Sequence, residues 1–232
     1  MTSTKHAPCA IASRVGYAQS PLDTDYGAVM ACAQFADVSA SDGSVSLSSL
    51  VPVAGVGVDT AYGVNIQILD NGGYSTESDY MWNGSSWENT NTGAATDDVT
   101  FSAGQGLWVM SFVGEPVGFQ SAGRVQTSDL NVALDTEYGG IIVGNAFPTS
   151  VSLSDILPVA DKSVDTAYSV NIQILDNGGY TTDADYMWNG TSWEDTNTGA
   201  AVTDVTFAPG QGLWVMNFSG EAVSLYIPAP EL

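Results

Sequence analysis

The sequence contains 232 residues, 44% of them apolar, so the chain can bury a core despite its net charge of −22. Only four residues are basic, against 26 acidic ones. Because four cations cannot neutralise a row of phosphates, nucleic acid and anionic membrane surfaces are excluded as expected partners. No apolar run reaches the length of a transmembrane helix, so we expect no membrane insertion.

Residues 1–13 form an N-terminal arm with no counterpart later in the chain. The arm carries Lys5 and His6 but no carboxylate, and Arg14 follows it directly. It lacks the apolar run of a signal peptide, so we expect either that a leader has been removed or that export uses another route. Ser, Thr, Asn, Asp and Gly dominate the polar residues, a composition typical of secreted bacterial surface and fibre proteins. We therefore expect an extracellular or cell-surface location.

The chain contains one long stretch twice. Residues 58–112 return as 164–218 without a gap and with roughly four identical positions in five, at a period of about 106 residues. The matches extend outward to two units, 14–122 and 123–232, which we interpret as tandem domains. The join at 121–123 is too short for a flexible linker, so we expect the domains to lie close together.

The repeated stretch has the period of β-strands. In residues 62–68 the apolar Tyr62, Val64, Ile66 and Ile68 alternate with smaller or polar residues, which predicts a half-buried strand. Asp70–Gly73 and Asn83-Gly84 tolerate positive φ, so we expect a hairpin at each, with a type I′ turn at Asn83-Gly84. Leu107–Phe112 is apolar on both faces, which predicts an interior strand.

Two shorter patterns complete this part of the analysis. Ala208-Pro209-Gly210 predicts a type II turn. Residues 152–157 predict a short helical turn capped by Ser152 or Ser154. About six to eight short strands per unit predict an all-β fold, with two tandem β-sandwich or small-barrel domains related by internal duplication.

Three motifs carry a resemblance to a known kind of module. They are GNAFPTSVSLSDILP at 144–158, YMWNGTSWED at 186–195 and APGQGLWVM at 208–216. In this order they resemble a β-rich tandem repeat module of secreted and cell-surface bacterial proteins, with a GNPFP-like start, a Y-x-W-x-G hairpin and a PGQGFWV-like strand. The first unit lacks the GNPFP-like start. The resemblance implies an extracellular β module and no particular activity.

The residues that catalysis most often uses are scarce. His6 is the only histidine, which leaves no catalytic triad and no zinc site, and no phosphate-binding glycine loop is present. A glycosidase needs only two carboxylates, but the available ones fall in predicted turns and loops. They are Glu77, Asp79, Glu88, Asp97, Asp98 and Glu115, with repeat partners Asp183, Asp185, Glu194, Asp204 and Glu221. We expect no enzyme activity, and we assign no catalytic or cofactor-binding residue.

Calcium is the metal that these acidic loops could hold. The best clusters of oxygen ligands are Asp70–Gly73 and Asp23–Asp25, but neither has the D-x-D-x-D-G pattern. Turn formation explains the same residues, so we assign no metal site and keep calcium as an alternative.

Cys9 and Cys32 are the only cysteines. Outside the cell we expect them to pair and to tie the arm to the first unit; the alternative is two free thiols in a cytosolic protein. Trp82 and Trp108 lie in apolar patterns and are expected in the core. Trp87 and Trp193 lie in polar surroundings, so they are the two candidates for exposure. We expect them to cover a hairpin against cross-strand partners, with stacking on a sugar as the alternative.

These features predict a non-enzymatic extracellular structural protein, a self-assembling subunit of a filament or surface layer. Its partners would be copies of itself, with the cationic arm (Lys5, His6 and Arg14) docking on the acidic body of the next copy. A disordered arm is the alternative. The alternative function is a surface-displayed adhesion module that binds carbohydrate through Trp87 and Trp193. An acid-catalysed hydrolase is a third hypothesis.

Overall fold

The computed structural model describes residues 15–21, 28–37, 40, 43–70, 73–96, 99–134, 140–176 and 179–231. Its regular elements are strands, apart from single 3-10 turns at Leu47–Ser49 and Leu153–Asp155. The all-β prediction is therefore confirmed. Within these ranges no helix is long and apolar enough to cross a membrane.

The strands divide between a first half, residues 15–125, and a second half, residues 130–231. The first half contains β1 Val15–Pro21, β2 Ala28–Cys32, β3 Phe35–Ala36, β4 Val45–Ser46, β5 Val51–Ala54, β6 Val64–Asp70, β7 Gly73–Trp82, β8 Trp87–Asn89, β9 Thr100–Phe101, β10 Gly106–Ser111 and β11 Val117–Val125. The second half contains β12 Leu130–Ala133, β13 Gly140–Gly144, β14 Val151–Ser152, β15 Leu157–Ala160, β16 Val170–Asp176, β17 Gly179–Trp188, β18 Trp193–Asp195, β19 Thr206–Phe207, β20 Gly212–Asn217 and β21 Val223–Ile227.

Both halves build a five-stranded antiparallel sheet with the same strand order. The order is β2-β10-β6-β7-β8 in the first half and β13-β20-β16-β17-β18 in the second. The registers also correspond, since Trp108 lies opposite Gln67 and Trp214 lies opposite Gln173. The same residue pattern therefore forms the same sheet twice.

The remaining strands form smaller antiparallel sheets. β11 pairs with β1, β3 and β5 in the first half, and β21 pairs with β12 and β15 in the second. β4 pairs with β9, and β14 with β19. β11 runs without interruption through the predicted join at 121–123. The connection between the halves is therefore residues 126–129, between β11 and β12.

The core of each half includes buried residues from both its larger and its smaller sheet. In the first half, buried side chains of β6 and β10 form one cluster with those of β11. They are Val64, Ile66, Leu107, Val109, Val117 and Phe119. In the second half, the buried side chains of β16, β20 and β21 occupy the corresponding positions, and Cys32 from the first half joins them.

Most of the predicted turns and strands are confirmed. β6 and β7 form the first hairpin, and Trp82 pairs with Trp87 across the second. The second hairpin has a four-residue loop in which Gly84 has a φ of +99°, so the predicted type I′ turn at Asn83-Gly84 is wrong. The type II turn is present, with the Gln211 N–H donating to the Ala208 carbonyl at 3.1 Å and Gly210 at a φ of +76°.

Two details depart from the sequence patterns. Ser152 precedes the 3-10 turn, but its side chain makes no capping hydrogen bond. β10 is an interior strand as predicted, with β2 and β6 on either side. Leu107 and Val109 point into the core, whereas Trp108 and Met110 on the opposite face are only half-buried.

The two halves meet where β2 and β13 end. The Cys32 N–H donates to the Gly210 carbonyl, and the Gly144 N–H donates to the Gly104 carbonyl, each at 2.8 Å. Glycines allow this approach: a Cβ at Gly106 would overlap the side chain of Ile142 and lie 2.9 Å from its carbonyl carbon. The halves are therefore held by direct backbone contact.

We expect Gly106→Ala to lower the free energy of unfolding by about 1 to 3 kcal/mol, because its methyl group has to displace Ile142. Gly55→Ala is the matched control, since its nearest neighbouring atom would be a Val58 methyl group at 3.9 Å. This control should be neutral or slightly stabilising. Urea unfolding followed by tryptophan fluorescence measures both variants, and equal midpoints would contradict the close approach.

Candidate functional site

Trp87 and Trp193 are core residues, so their prediction as candidates for exposure is wrong. Each is only 1% exposed. The indole N–H of Trp87 donates to the Leu50 carbonyl, and that of Trp193 donates to the Ile156 carbonyl, both at 2.8 Å. Their polar sequence neighbours belong to the hairpin loop, while the rings turn inward. A sugar cannot stack on rings that are buried in this way.

A second indole packs against each of these. The ring centroids of Trp82 and Trp87 lie 5.5 Å apart in an edge-to-face arrangement, and Trp188 and Trp193 repeat this geometry. Trp82 is 7% exposed, which confirms its predicted place in the core. Its indole nitrogen has no hydrogen-bond partner among the described residues.

Two of the predicted carboxylates, Asp79 and Asp185, bind neighbouring side-chain amides. Asp79 accepts hydrogen bonds from the amide nitrogens of Asn65 at 2.6 Å and Gln67 at 3.1 Å. Asp185 binds Asn171 and Gln173 in the same way, at 2.6 Å and 3.0 Å. These bonds join β6 to β7 and β16 to β17. Asp79 and Asp185 therefore act as cross-strand ties.

The other predicted acids are spread over loops and edges. Glu88 and Glu194 accept from the Asn83 and Asn189 amides at 2.5 Å, inside the two equivalent hairpins. Three more are exposed: Glu115, Asp204 and Glu221. Asp97, Asp98 and the side chains of Glu77 and Asp183 lie outside the described residues.

Among the described residues, no three His, Cys, Asp or Glu side chains group together in a way that could hold a metal ion. The two clusters that could bind calcium include residues 23–25 and 71–72, which fall outside the described ranges. The arm residues Lys5, His6 and Arg14 also fall outside them. Calcium binding and arm docking therefore stay predictions.

Cys32 is 5% exposed and lies at the contact between the halves. Burial raises the pKa of its thiol to about 12, against a smaller lowering by a hydrogen bond with the Gly104 backbone. The thiol is therefore protonated and unreactive at neutral pH. Cys9 lies outside the described residues, so the disulfide stays a prediction.

An aromatic pair that the sequence analysis missed lies at one end of each five-stranded sheet. Tyr62 is 63% exposed and Phe112 is 44% exposed. The Phe112 N–H donates to the carbonyl of Gly63, next to Tyr62, at 2.7 Å. Tyr168 and Phe218 are exposed in the same way in the second half. Each half thus presents two aromatic residues from adjacent backbones.

The backbone at these tyrosines is strained. Tyr62 has a φ of +55° and Tyr168 a φ of +56°, the only two positive values at non-glycine residues in the described part. Such a conformation costs a bulky side chain on the order of 1 to 3 kcal/mol. Strand periodicity predicted Tyr62 inside the strand, whereas β6 begins at Val64. The sequence shows that Tyr62 is repeated as Tyr168, but it does not show the positive φ of either residue.

The comparisons with known proteins add nothing to this geometry: no family model, no curated protein and no solved structure matches the chain significantly.

We expect Trp87→Phe to destabilise the protein by about 1 to 3 kcal/mol more than Trp82→Phe. The first change leaves the buried Leu50 carbonyl without its donor, whereas the second removes an indole N–H that has no partner in the described part. Both substitutions replace a buried indole with a phenyl ring, so the volume removed is the same. Chemical denaturation of both variants measures the difference, and equal losses would show that the hydrogen bond contributes nothing.

Proposed function

We propose that this protein is a non-enzymatic extracellular structural protein, a self-assembling subunit of a filament or surface layer. We further propose that its halves are two β-sandwich domains related by internal duplication. The observation that carries this proposal is the direct backbone contact between the halves. It gives the chain the rigidity of a building block, where a flexible linker would let two binding modules move independently.

The use of the polar side chains supports a structural role. Asn83, Asn89 and Asp195 accept hydrogen bonds from backbone N–H groups of their own loops. Asp59 and Asp165 do the same for the loops before β6 and β16. These side chains satisfy turns that would otherwise depend on water. The acidic residues thereby stabilise the loops and leave the surface strongly anionic.

This charge predicts how assembly depends on salt. With a net charge of −22, free copies repel one another at low ionic strength. Added salt or calcium screens the repulsion, so we expect ordered fibres or sheets in negative-stain images to increase with ionic strength. Monomers at every salt and protein concentration would contradict the proposed function. Assembly that weakens steadily with salt would instead identify attraction between the arm and the body as the main contact.

Removing residues 1–13 tests the role of the arm directly. Fibres of unchanged length in the shortened chain would exclude the arm from the assembly contact.

The exposed aromatic pairs favour one alternative, an adhesion module that binds neutral carbohydrate. The Tyr62 loop touches the β7–β8 hairpin, where a Cβ on Gly84 would lie 3.1 Å from the Cβ of Ala61. The Asp59 carboxylate accepts the Ala61 N–H in this loop at 2.9 Å. An exposed ring beside fixed polar groups suits the apolar face of a sugar, and the acidic surface disfavours anionic glycans.

The strained φ gives this alternative a discriminating test. Tyr62→Asn combined with Tyr168→Asn removes both rings, and asparagine tolerates positive φ, so we expect the thermal midpoint to stay unchanged or rise. Binding to a neutral glycan array should disappear in this variant. The control, Tyr62→Phe with Tyr168→Phe, keeps both rings and should keep binding. Undiminished binding by the asparagine variant would exclude the tyrosines as the site.

A further inference from the structure

The contact between the halves has a local twofold pattern. Matching Leu22–Gly27 with Leu134–Gly139 makes Cys32 equivalent to Gly144. Gly104 is equivalent to Gly210 in the repeated stretch. In each half, the N–H donor therefore lies at the end of the equivalent strand, β2 or β13, and the carbonyl acceptor lies in the equivalent turn before β10 or β20. The two hydrogen bonds have equal length. The bridges Ala31–Gln211 and Val143–Gln105 repeat the same reciprocity. A contact of this kind joins two copies of one surface.

One position breaks the symmetry at the centre of this contact. A Cβ on Gly144 would overlap the Cβ of Cys32 and lie 2.7 Å from its sulfur. Cys32 is almost fully buried and packs into the core cluster of the second half. Two halves with cysteine at this position would clash, and two halves with glycine would leave a gap. The contact therefore favours the pairing of unlike halves.

The covalent connection between the halves is short. Asp129 is tied to the second half because it accepts hydrogen bonds from the Tyr226 hydroxyl and the Ala229 N–H, each at 2.8 Å. These bonds lower the pKa of its carboxyl group, so they hold at neutral pH. That leaves residues 126–128 as the connector, in which Thr127 and Ser128 are exposed. The contact between the halves would be the same if the second half belonged to another copy, and only the connector would change conformation.

We propose that copies of this chain associate by exchanging halves: the first half of one copy binds the second half of the next through this contact, and Cys32 with Gly144 prevents like halves from pairing. This inference rests on the proposed self-assembly and supplies its contact. Reciprocal exchange between two copies closes a dimer, and successive exchange builds an open chain.

The length of the connector tests the exchange. Deleting Thr127 and Ser128 should strain pairing within one chain, so dimers and longer chains should replace monomers in size-exclusion chromatography with light scattering. Inserting six Gly/Ser residues after Thr127 should favour monomers. A flexible connector keeps the partner half at an effective concentration on the order of millimolar, well above a micromolar sample. Circular dichroism should remain unchanged, because each half keeps its own sheets.

The Cys32–Gly144 pair gives an independent test in reducing buffer, where a disulfide with Cys9 cannot contribute. Gly144→Cys should abolish association, since both halves then carry the side chain at the centre. Exchanging the two residues, as Cys32→Gly with Gly144→Cys, should restore association, because unlike halves again meet. Failure of the exchanged variant to associate better than Gly144→Cys would overturn the role of the pair.

The outcomes separate this inference from the proposed function. If the native chain and both connector variants assemble to the same extent, assembly uses another contact; the proposed function then stands and half exchange is wrong. If none of these chains associates at any salt concentration, the proposed function fails as well. Opposite shifts of the shortened and lengthened chains support exchange.

Discussion

The structure depends on one constraint, the approach of the two halves to backbone contact where β2 and β13 end. A Cβ at Gly106, Gly144 or Gly212 would overlap or crowd the opposite half. Because these positions lack side chains, N–H and carbonyl groups of different halves reach hydrogen-bonding distance. The bonds also occupy part of β2 and β13, which are edge strands of their sheets. Edges that would otherwise be open to other chains are used to hold the halves together.

The acidic composition and the stable fold coexist because short polar side chains replace water at the turns. Asn145 shows the principle: its side chain accepts the Phe147 N–H and donates to the carbonyls of Thr149 and Phe207. Since an unsatisfied buried backbone group costs about 1 to 3 kcal/mol, such residues are needed at tight loops. The same side chains are then engaged in holding the loops.

The exposed tyrosines, Tyr62 and Tyr168, have no comparable structural role. A residue at positive φ that is also largely exposed gains little from burial to offset its strain. The strain recurs at Tyr168, although the following residue is glycine in the first half and serine in the second. Neither the core nor the contact between the halves explains these rings, which is why they are the surface feature that a ligand-binding role would use.

The sequence by itself determined the all-β class, the hairpins, the type II turn and the interior position of β10. These are local properties, because alternation and turn residues act over a few neighbours. It did not determine the direction of the Trp87 ring, since a polar neighbourhood such as Ser85–Asn89 describes the loop and not the opposite side of the sheet. Only the tertiary structure decided that Cys32 meets Gly144 and that Tyr62 leaves the strand at positive φ. The first fact depends on two backbones that approach each other across 112 residues of chain, and the second on the approach of the Tyr62 loop to the β7–β8 hairpin. Sequence periodicity carries no information about either approach.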